Sequence, residues 1–595
     1  MRFHPSSRSR PSWRRRHGPR RRVTLGVAGL AVLAAVFSVV PGTVPVSGPS
    51  GLLTVSDVDT DPATPATAPP LADGALPSDL DGVPRDTPPE AGHDPLAEFH
   101  RQQPTWAPCS FNEALECASI MVPMDYRHPE AERITLAISR RKAADPARRR
   151  GILLLNPGGP GGSGLQMPKL LLDQPTAQVY DLVGFDPRGV GRSTALACEQ
   201  TPLLYKPESR PTDDVFPWWV ASARESEEAC ARAGGALRPF VNTPNTARDM
   251  DVIRAVLGEE KINYVGYSYG TYLGAVYGSL FPERLDRSVL DSSVHPDWIW
   301  REQFKRQGTA YRDNVDVWAE WAAKRNATLG LGDSREAVLD TVEQLARKLS
   351  VQPVNGYDRS SLDGAVGVGA RYRPLWADLA KVLRTLRDGG SAEATRDAVR
   401  AGQLMTDVAL AELRAGVFDT VTCEADWPQD TTAYLEDMRI FRERYPYGYG
   451  VMRAVPWPCT FRSFLPPERP VPLRRAGYPV GLVVQAAGDT QTQYAGGPAM
   501  AARLAHHLIT VLDEGEHGMY GFGNTCVDQR VNAYLVDGML PPTRSECPGR
   551  SRPDVPEDPV GQPPNKPTTE VVPETSVAQS VEHYLQDGRI LERAF

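Results

Sequence analysis

Beyond residue 105 the chain alternates short apolar runs with longer stretches of helical period. Ile134, Leu136 and Ile138 alternate with Thr135 and Ala137, the two-residue rhythm of an edge strand. Ile152-Leu153-Leu154-Leu155 and Asp181-Leu182-Val183-Gly184-Phe185 are short apolar runs of the kind found in a buried parallel sheet. A helical stretch over 247–258 leads into the apolar run Ile262-Asn263-Tyr264-Val265; a second helix begins at Thr271, and Ser288-Val289-Leu290 supplies another strand. From Pro296 to about Val421 the period becomes mostly helical, with segments at 335–349, 375–387 and 392–415. Strands return at 480–484 and 508–512. This order predicts an α/β architecture, a doubly wound and mostly parallel sheet. The helical insertion then acts as a lid over the strand C-termini, where ligands bind in such sheets.

The two ends of the chain read differently. Residues 1–22 hold nine arginines and no acid, and 23–47 hold no charged residue. The apolar stretch 23–40 behind that basic start has the layout of an export signal or a signal anchor, with no clear small-residue cleavage site after it. Its alternative is a buried helix of the folded domain. Thirteen prolines between Pro41 and Pro104 mark a disordered tether. The organisation expected is therefore 1–47 as signal or anchor, 48–104 as tether, 105–295 as the first part of the core, 296–425 as lid, 426–548 as the C-terminal part of the core, and 549–595 as a proline-rich tail with a short helix over 576–584. A chain of 595 residues is long enough for more than one such unit.

Composition is ordinary for a globular protein, 41% hydrophobic and 23% charged. The net charge of −7 becomes −16 once the nine N-terminal arginines are set aside. A body that acidic argues against nucleic acid as a partner. All eight cysteines, Cys109, Cys117, Cys198, Cys230, Cys423, Cys459, Cys526 and Cys547, lie beyond the apolar stretch and lack the paired spacing of a zinc site. Four disulfides in an oxidising compartment is the economical reading, with neighbours in sequence favoured as pairs; spacing alone leaves the connectivity open. The location expected is secreted or cell-surface, with membrane anchoring through 23–40 if that segment is retained.

The chemistry concentrates at Gly266-Tyr267-Ser268-Tyr269-Gly270, between an apolar run and a helix. G-x-S-x-G at a strand-to-helix corner is the nucleophile elbow of the α/β-hydrolase fold. A serine needs a base to take its proton and a third group to orient that base. In this fold the acid and the histidine follow the serine in that order, at the ends of late strands. Asp489 follows the strand at 480–484, and His517 follows the strand at 508–512; Asp291, also after a strand, is an alternative acid. The glycine-rich loop Asn156-Pro157-Gly158-Gly159-Pro160-Gly161-Gly162 comes after an early strand, where backbone N–H groups approach a tetrahedral intermediate. It lacks the lysine and hydroxyl spacing of a phosphate loop. His295, His506 and His507 are read as non-catalytic, and Trp298, Trp300, Trp318, Trp321 and Trp376 as core. No step of this chemistry calls for a cofactor or a metal.

Asn156–Gly164, Asp186-Pro187-Arg188-Gly189-Val190-Gly191-Arg192-Ser193 and the elbow together resemble the proline iminopeptidase group of α/β-hydrolases. More narrowly, with 117–126 and the block from His517 through Cys526 to Cys547, the chain resembles the secreted tripeptidyl aminopeptidases of actinobacteria. The resemblance runs from about Trp106 to Cys547. It implies exopeptidase action on peptide substrates with free N-termini, a Ser268, Asp489 and His517 triad, and an oxyanion hole formed by the Gly159 region and the Tyr269 N–H. The run Asp489-Thr490-Gln491-Thr492-Gln493 departs from the family's D-x-x-T-P by its missing proline. Arg188 is expected to fix a loop. An aminopeptidase must also read an ammonium, which calls for a carboxylate near the lid; Glu424 or Asp426 is the candidate. The competing readings are an esterase or other acyl hydrolase on the same scaffold, and a surface protein that binds without catalysis.

Overall fold

The computed structural model describes residues 94–199, 207–411, 416–559 and 576–587. Ten strands among them form one sheet: β1 Ala107–Cys109, β2 Asn112–Pro123, β3 Arg133–Arg141, β4 Ile152–Asn156, β5 Asp181–Phe185, β6 Ile262–Tyr267, β7 Leu285–Asp291, β8 Leu482–Ala486, β9 His507–Leu512 and β10 Arg544–Pro548. Their order is β1-β2-β3-β5-β4-β6-β7-β8-β9-β10. From β5 to β10 every pairing is parallel, and β1, β2 and β3 add an antiparallel flank. The predicted doubly wound, mostly parallel sheet is present.

Its central strands are apolar at nearly every position because helices cover both faces. All five residues of β4 and all six of β6 are buried. One departure from expectation is β3, which is not an edge strand: it is paired with both β2 and β5. The covering strand β2 has twelve residues, but Cys117-Ala118-Ser119 interrupts its apolar alternation, so its pattern signals a strand weakly.

The chain runs from β4 to β5 on one side and then to β6 on the other side of β4. Such a reversal opens a crevice at the carboxyl ends of β4 and β6, and the loops leaving both strands meet there. Arg188 braces this end of the sheet. Fully buried, it donates to both carboxylate oxygens of Asp249 at 2.8 and 2.6 Å and to the carbonyls of Met124, Phe240 and Pro123.

Between β7 and β8 the chain is helical, with helices Arg301–Ala323, Arg335–Val351, Arg359–Arg371, Trp376–Asp388, Ala392–Ala411, Val417–Thr422 and Thr432–Arg444. These have an apolar cluster of their own around Trp318, Trp321, Leu362, Val366 and Trp376. Four disulfides join neighbours in sequence: Cys109 to Cys117, Cys198 to Cys230, Cys423 to Cys459 and Cys526 to Cys547. Four cystines point to an oxidising, extracellular setting. No helix among the described residues is long and apolar enough to cross a membrane. The expected signal or anchor at 23–40 and the tether at 48–104, apart from its last residues, lie outside the described residues.

Candidate active site

Strand β6 ends at Tyr267, and the helix Tyr269–Leu280 starts two residues later. Ser268 makes the corner with φ 58° and ψ −126°, left-handed backbone that a non-glycine residue holds only when its surroundings enforce it. Gly266 explains the motif: a Cβ there would lie 2.4 Å from the Gly270 carbonyl oxygen and 2.6 Å from the Tyr264 ring. The Ser268 N–H donates to the Asp291 carbonyl at 3.0 Å, which ties the elbow to the end of β7.

The glycine-rich loop after β4 packs directly on this corner. A Cβ on Gly158 would meet the Tyr267 carbonyl oxygen at 2.3 Å and the Ser268 Cβ at 2.9 Å, so only glycine permits the approach. Asn156 holds the loop by accepting the Gly158 N–H at 2.9 Å. Gly159 and Tyr269 both reach the cavity that holds Ser268. Neither of their backbone N–H groups has a partner among the described residues. Two unpaired donors flanking a serine, one at a helix N-terminus, suit a developing oxyanion.

Asp489 lies in the turn after β8 and is 1% exposed. Its carboxylate accepts from the Gln491 N–H at 2.8 Å, the Thr492 N–H at 3.3 Å, the Thr492 hydroxyl at 2.9 Å and His517 Nδ1 at 2.8 Å. Those side-chain and main-chain bonds hold the turn without the family's proline. Burial pushes the Asp489 carboxyl up, but the His517 ring, its hydrogen bond and the Arg371 guanidinium 4.0 Å away outweigh burial and leave it below the ordinary carboxylate value. It is therefore an acceptor, and Nδ1 of His517 carries the hydrogen toward it. His517 and Ser268 line the same cavity.

Asp291 is not the hydrogen-bond partner of His517 Nδ1, which is Asp489; it does something else. Its Oδ2 accepts the N–H groups of Met519 at 2.9 Å and Tyr520 at 2.7 Å, while Ser292 Oγ accepts from the Gly518 N–H at 2.7 Å. One residue thus holds the elbow through its carbonyl and the histidine loop through its carboxylate. Burial raises the Asp291 carboxyl to about 6, against the pull of those N–H donors.

The cavity wall also includes Trp300, Gln303, Gln307 and Arg371 from the helical insertion, and Glu516 beside His517. It leaves about 60 Å³ for water-sized occupants. Gln303 and Gln307 lie one turn apart on the helix Arg301–Ala323, and both donate to the Gln491 carbonyl, at 3.3 and 3.0 Å. Sequence reasoning missed them, although glutamines four apart on a helix facing the sheet are a readable signal. Thr492, Arg371 and Glu516 were missed as well.

Glu424 and Asp426 are placed differently from each other. Glu424 is 7% exposed; it accepts from the Thr243 N–H and hydroxyl, each at 2.8 Å, and from Trp300 Nε1 at 3.2 Å. It therefore lies behind Trp300 and Tyr269, not on the cavity wall, and burial raises its carboxyl to about 7. The Asp426 side chain is fully in solvent, 3.9 Å from Arg462. His506 accepts the Gly481 N–H, and His295 stacks on Trp298.

A family model described as the alpha/beta hydrolase fold matches residues 151–389, and one described as TAP-like protein matches 445–547. The chain is 35% identical to the tripeptidyl aminopeptidase of Streptomyces lividans over 461 residues, 73% of this chain and 84% of that one. It is 30% identical to the serine protease Hip1 of Mycobacterium tuberculosis, over 76% of this chain and 92% of that one. A protein named carboxylesterase B from the same organism is 31% identical over 81% of this chain and 95% of its own length. The chain belongs to the tripeptidyl aminopeptidase family of α/β-hydrolase serine peptidases.

Proposed function

We propose that this protein is an exported serine aminopeptidase that releases short peptides, of tripeptidyl type, or single residues from free N-termini. The supporting observation is the 2.8 Å contact between Asp489 and His517 Nδ1, with Ser268 and His517 on one cavity wall. In this reading Ser268 Oγ attacks the scissile carbonyl carbon and passes its proton to His517 Nε2. Asp489 holds the ring and stabilises the imidazolium. The Gly159 and Tyr269 N–H groups receive the oxyanion. His517 then gives the proton to the leaving amine, which departs as the C–N bond breaks. Water, with His517 again as base, releases the acyl group from Ser268. The helices between β7 and β8 act as the lid over this step.

Peptide anilides with free and acetylated N-termini, assayed beside short acyl esters, test the substrate class. Turnover confined to free N-termini supports an aminopeptidase. Preference for the esters supports the esterase reading, which the 31% identity to a carboxylesterase favours. Of the two carboxylates proposed to read the ammonium, Glu424 is nearer the cavity, one indole ring behind it. If Glu424→Gln and Asp426→Ala both keep the full preference for free N-termini, neither residue has that role. Export, and anchoring through 23–40, are tested by locating the protein in cell fractions and sequencing its mature N-terminus.

A further inference from the structure

The C-terminal helix Val577–Asp587 belongs to none of the motifs above. Its apolar face, Ala578, Val581 and Leu585, is buried in the cluster of the helical insertion. Asp397 of that insertion accepts from the Val577 N–H at 2.7 Å and from the Ser576 hydroxyl. Ser580 donates to Asp378 at 2.8 Å, and Arg400 pairs with Glu582 at 2.8 Å. These contacts all hold the helix to the lid layer.

Tyr584 is the exception. Its phenol donates to Glu516 Oε1 at 2.7 Å, and Glu516 directly precedes His517. Arg550 Nη1 reaches the same oxygen at 2.6 Å and the Tyr584 hydroxyl at 3.2 Å. The Tyr584 ring meets Tyr372, a cavity-wall residue, edge to face at 5.7 Å. Glu516 is 2% exposed and lines both the cavity of Ser268 and a surface groove of about 500 Å³ on its far side. On the C-terminal side of His517 the loop is pinned by Asp291 and Ser292. On its N-terminal side Arg371 Nε donates to the Gly515 carbonyl at 2.7 Å and the buried Glu514 accepts the Gly515 and Glu516 N–H groups, and the Glu516 side chain adds the buried anchor next to His517.

We propose that Tyr584 is a positioning residue for His517: together with Arg550 it fixes Glu516, and so latches the lid layer to the histidine loop. This rests on Ser268 and His517 being nucleophile and base. Proton transfer between them depends on ring placement to within a fraction of an ångström, so a loosened loop costs turnover more than substrate binding. Tyr584→Phe removes the hydroxyl and keeps the ring against Tyr372. Per active site titrated with a fluorophosphonate, kcat on a peptide anilide falls roughly tenfold while KM stays within about twofold. Glu516→Gln lowers kcat too, and adding Tyr584→Phe to it costs less than Tyr584→Phe alone, because both changes break one contact. Wild-type kcat per titrated site in Tyr584→Phe, a loss confined to KM, or fully additive losses would each overturn the latch and leave the triad standing. If the wild-type protein takes no label at Ser268, the triad and the latch fall together.

Discussion

At the residue scale, the proposed triad passes one proton between Ser268 and His517 while Asp489 orients the ring. Ser268→Ala or His517→Ala should lower kcat on a peptide anilide by about 10⁶-fold, and Asp489→Asn by about 10⁴-fold, since the ring is then held in the wrong tautomer. Steady-state kinetics on folded variants checks both; a loss below about tenfold at His517 would contradict its role as base. Asp291 makes a separate prediction about stability. Its carboxyl is raised to about 6 by burial in the folded state, so the proton it holds stabilises the fold below the ordinary carboxylate range. That contribution disappears as pH rises through about 6. Asp291→Asn removes the titration, so the variant should gain on the wild type between pH 4 and pH 7, by on the order of 2–3 kcal/mol. Denaturant unfolding across that range measures the gap, and a gap independent of pH would show that Asp291 does not titrate there. Ser268 and its glycines are legible in sequence because the corner excludes other residues sterically. Glu516 and Tyr584 are not: 68 residues separate them, and nothing local in either side chain signals the contact.

At the element scale, legibility follows how much of each element's pattern is its own. The helices Arg335–Val351 and Trp376–Asp388 have one apolar face each and fall close to the segments predicted from period. The helix Arg359–Arg371 lies in the stretch read as mostly helical but does not stand out by period, because Gly364, Gly367 and Gly369 lower its propensity. It forms because those glycines let Tyr449, Gly448 and Leu379 pack against its backbone, and almost all of it is buried. Strand β3 has the rhythm of an edge because its partner β2 is disguised by Cys117-Ala118-Ser119. The disulfide between Cys423 and Cys459 spans 36 residues and ties the end of the helix Val417–Thr422 to the segment that returns toward β8. Replacing both cysteines by serine should lower unfolding free energy by about 3–4 kcal/mol from loop entropy. Chemical denaturation checks this, and a loss under about 1 kcal/mol would mean the segment is held by packing alone.

At the scale of the whole molecule, the sheet order, the switch at β4 and β6 and the helical layer set the cavity where the loops converge. About 60 Å³ is the liquid share of roughly two waters, so the proposed lid is expected to shift when a peptide binds. A peptide boronate bound at Ser268 should then change hydrogen exchange in the helix Arg301–Ala323 while leaving β6 and β7 unaltered; unchanged exchange in that helix would contradict a moving lid. The fold class was readable because strand and helix periods alternate along the chain. The tail's link to the histidine loop was not, since it depends on how the layers stack. The most direct test of the central claim is peptide mapping by mass spectrometry after reaction with a fluorophosphonate. A single adduct on Ser268 is expected, absent from Ser268→Ala and strongly slowed in His517→Ala and Asp489→Asn. An adduct on another residue, or equal labelling of Ser268 in all three, would contradict it.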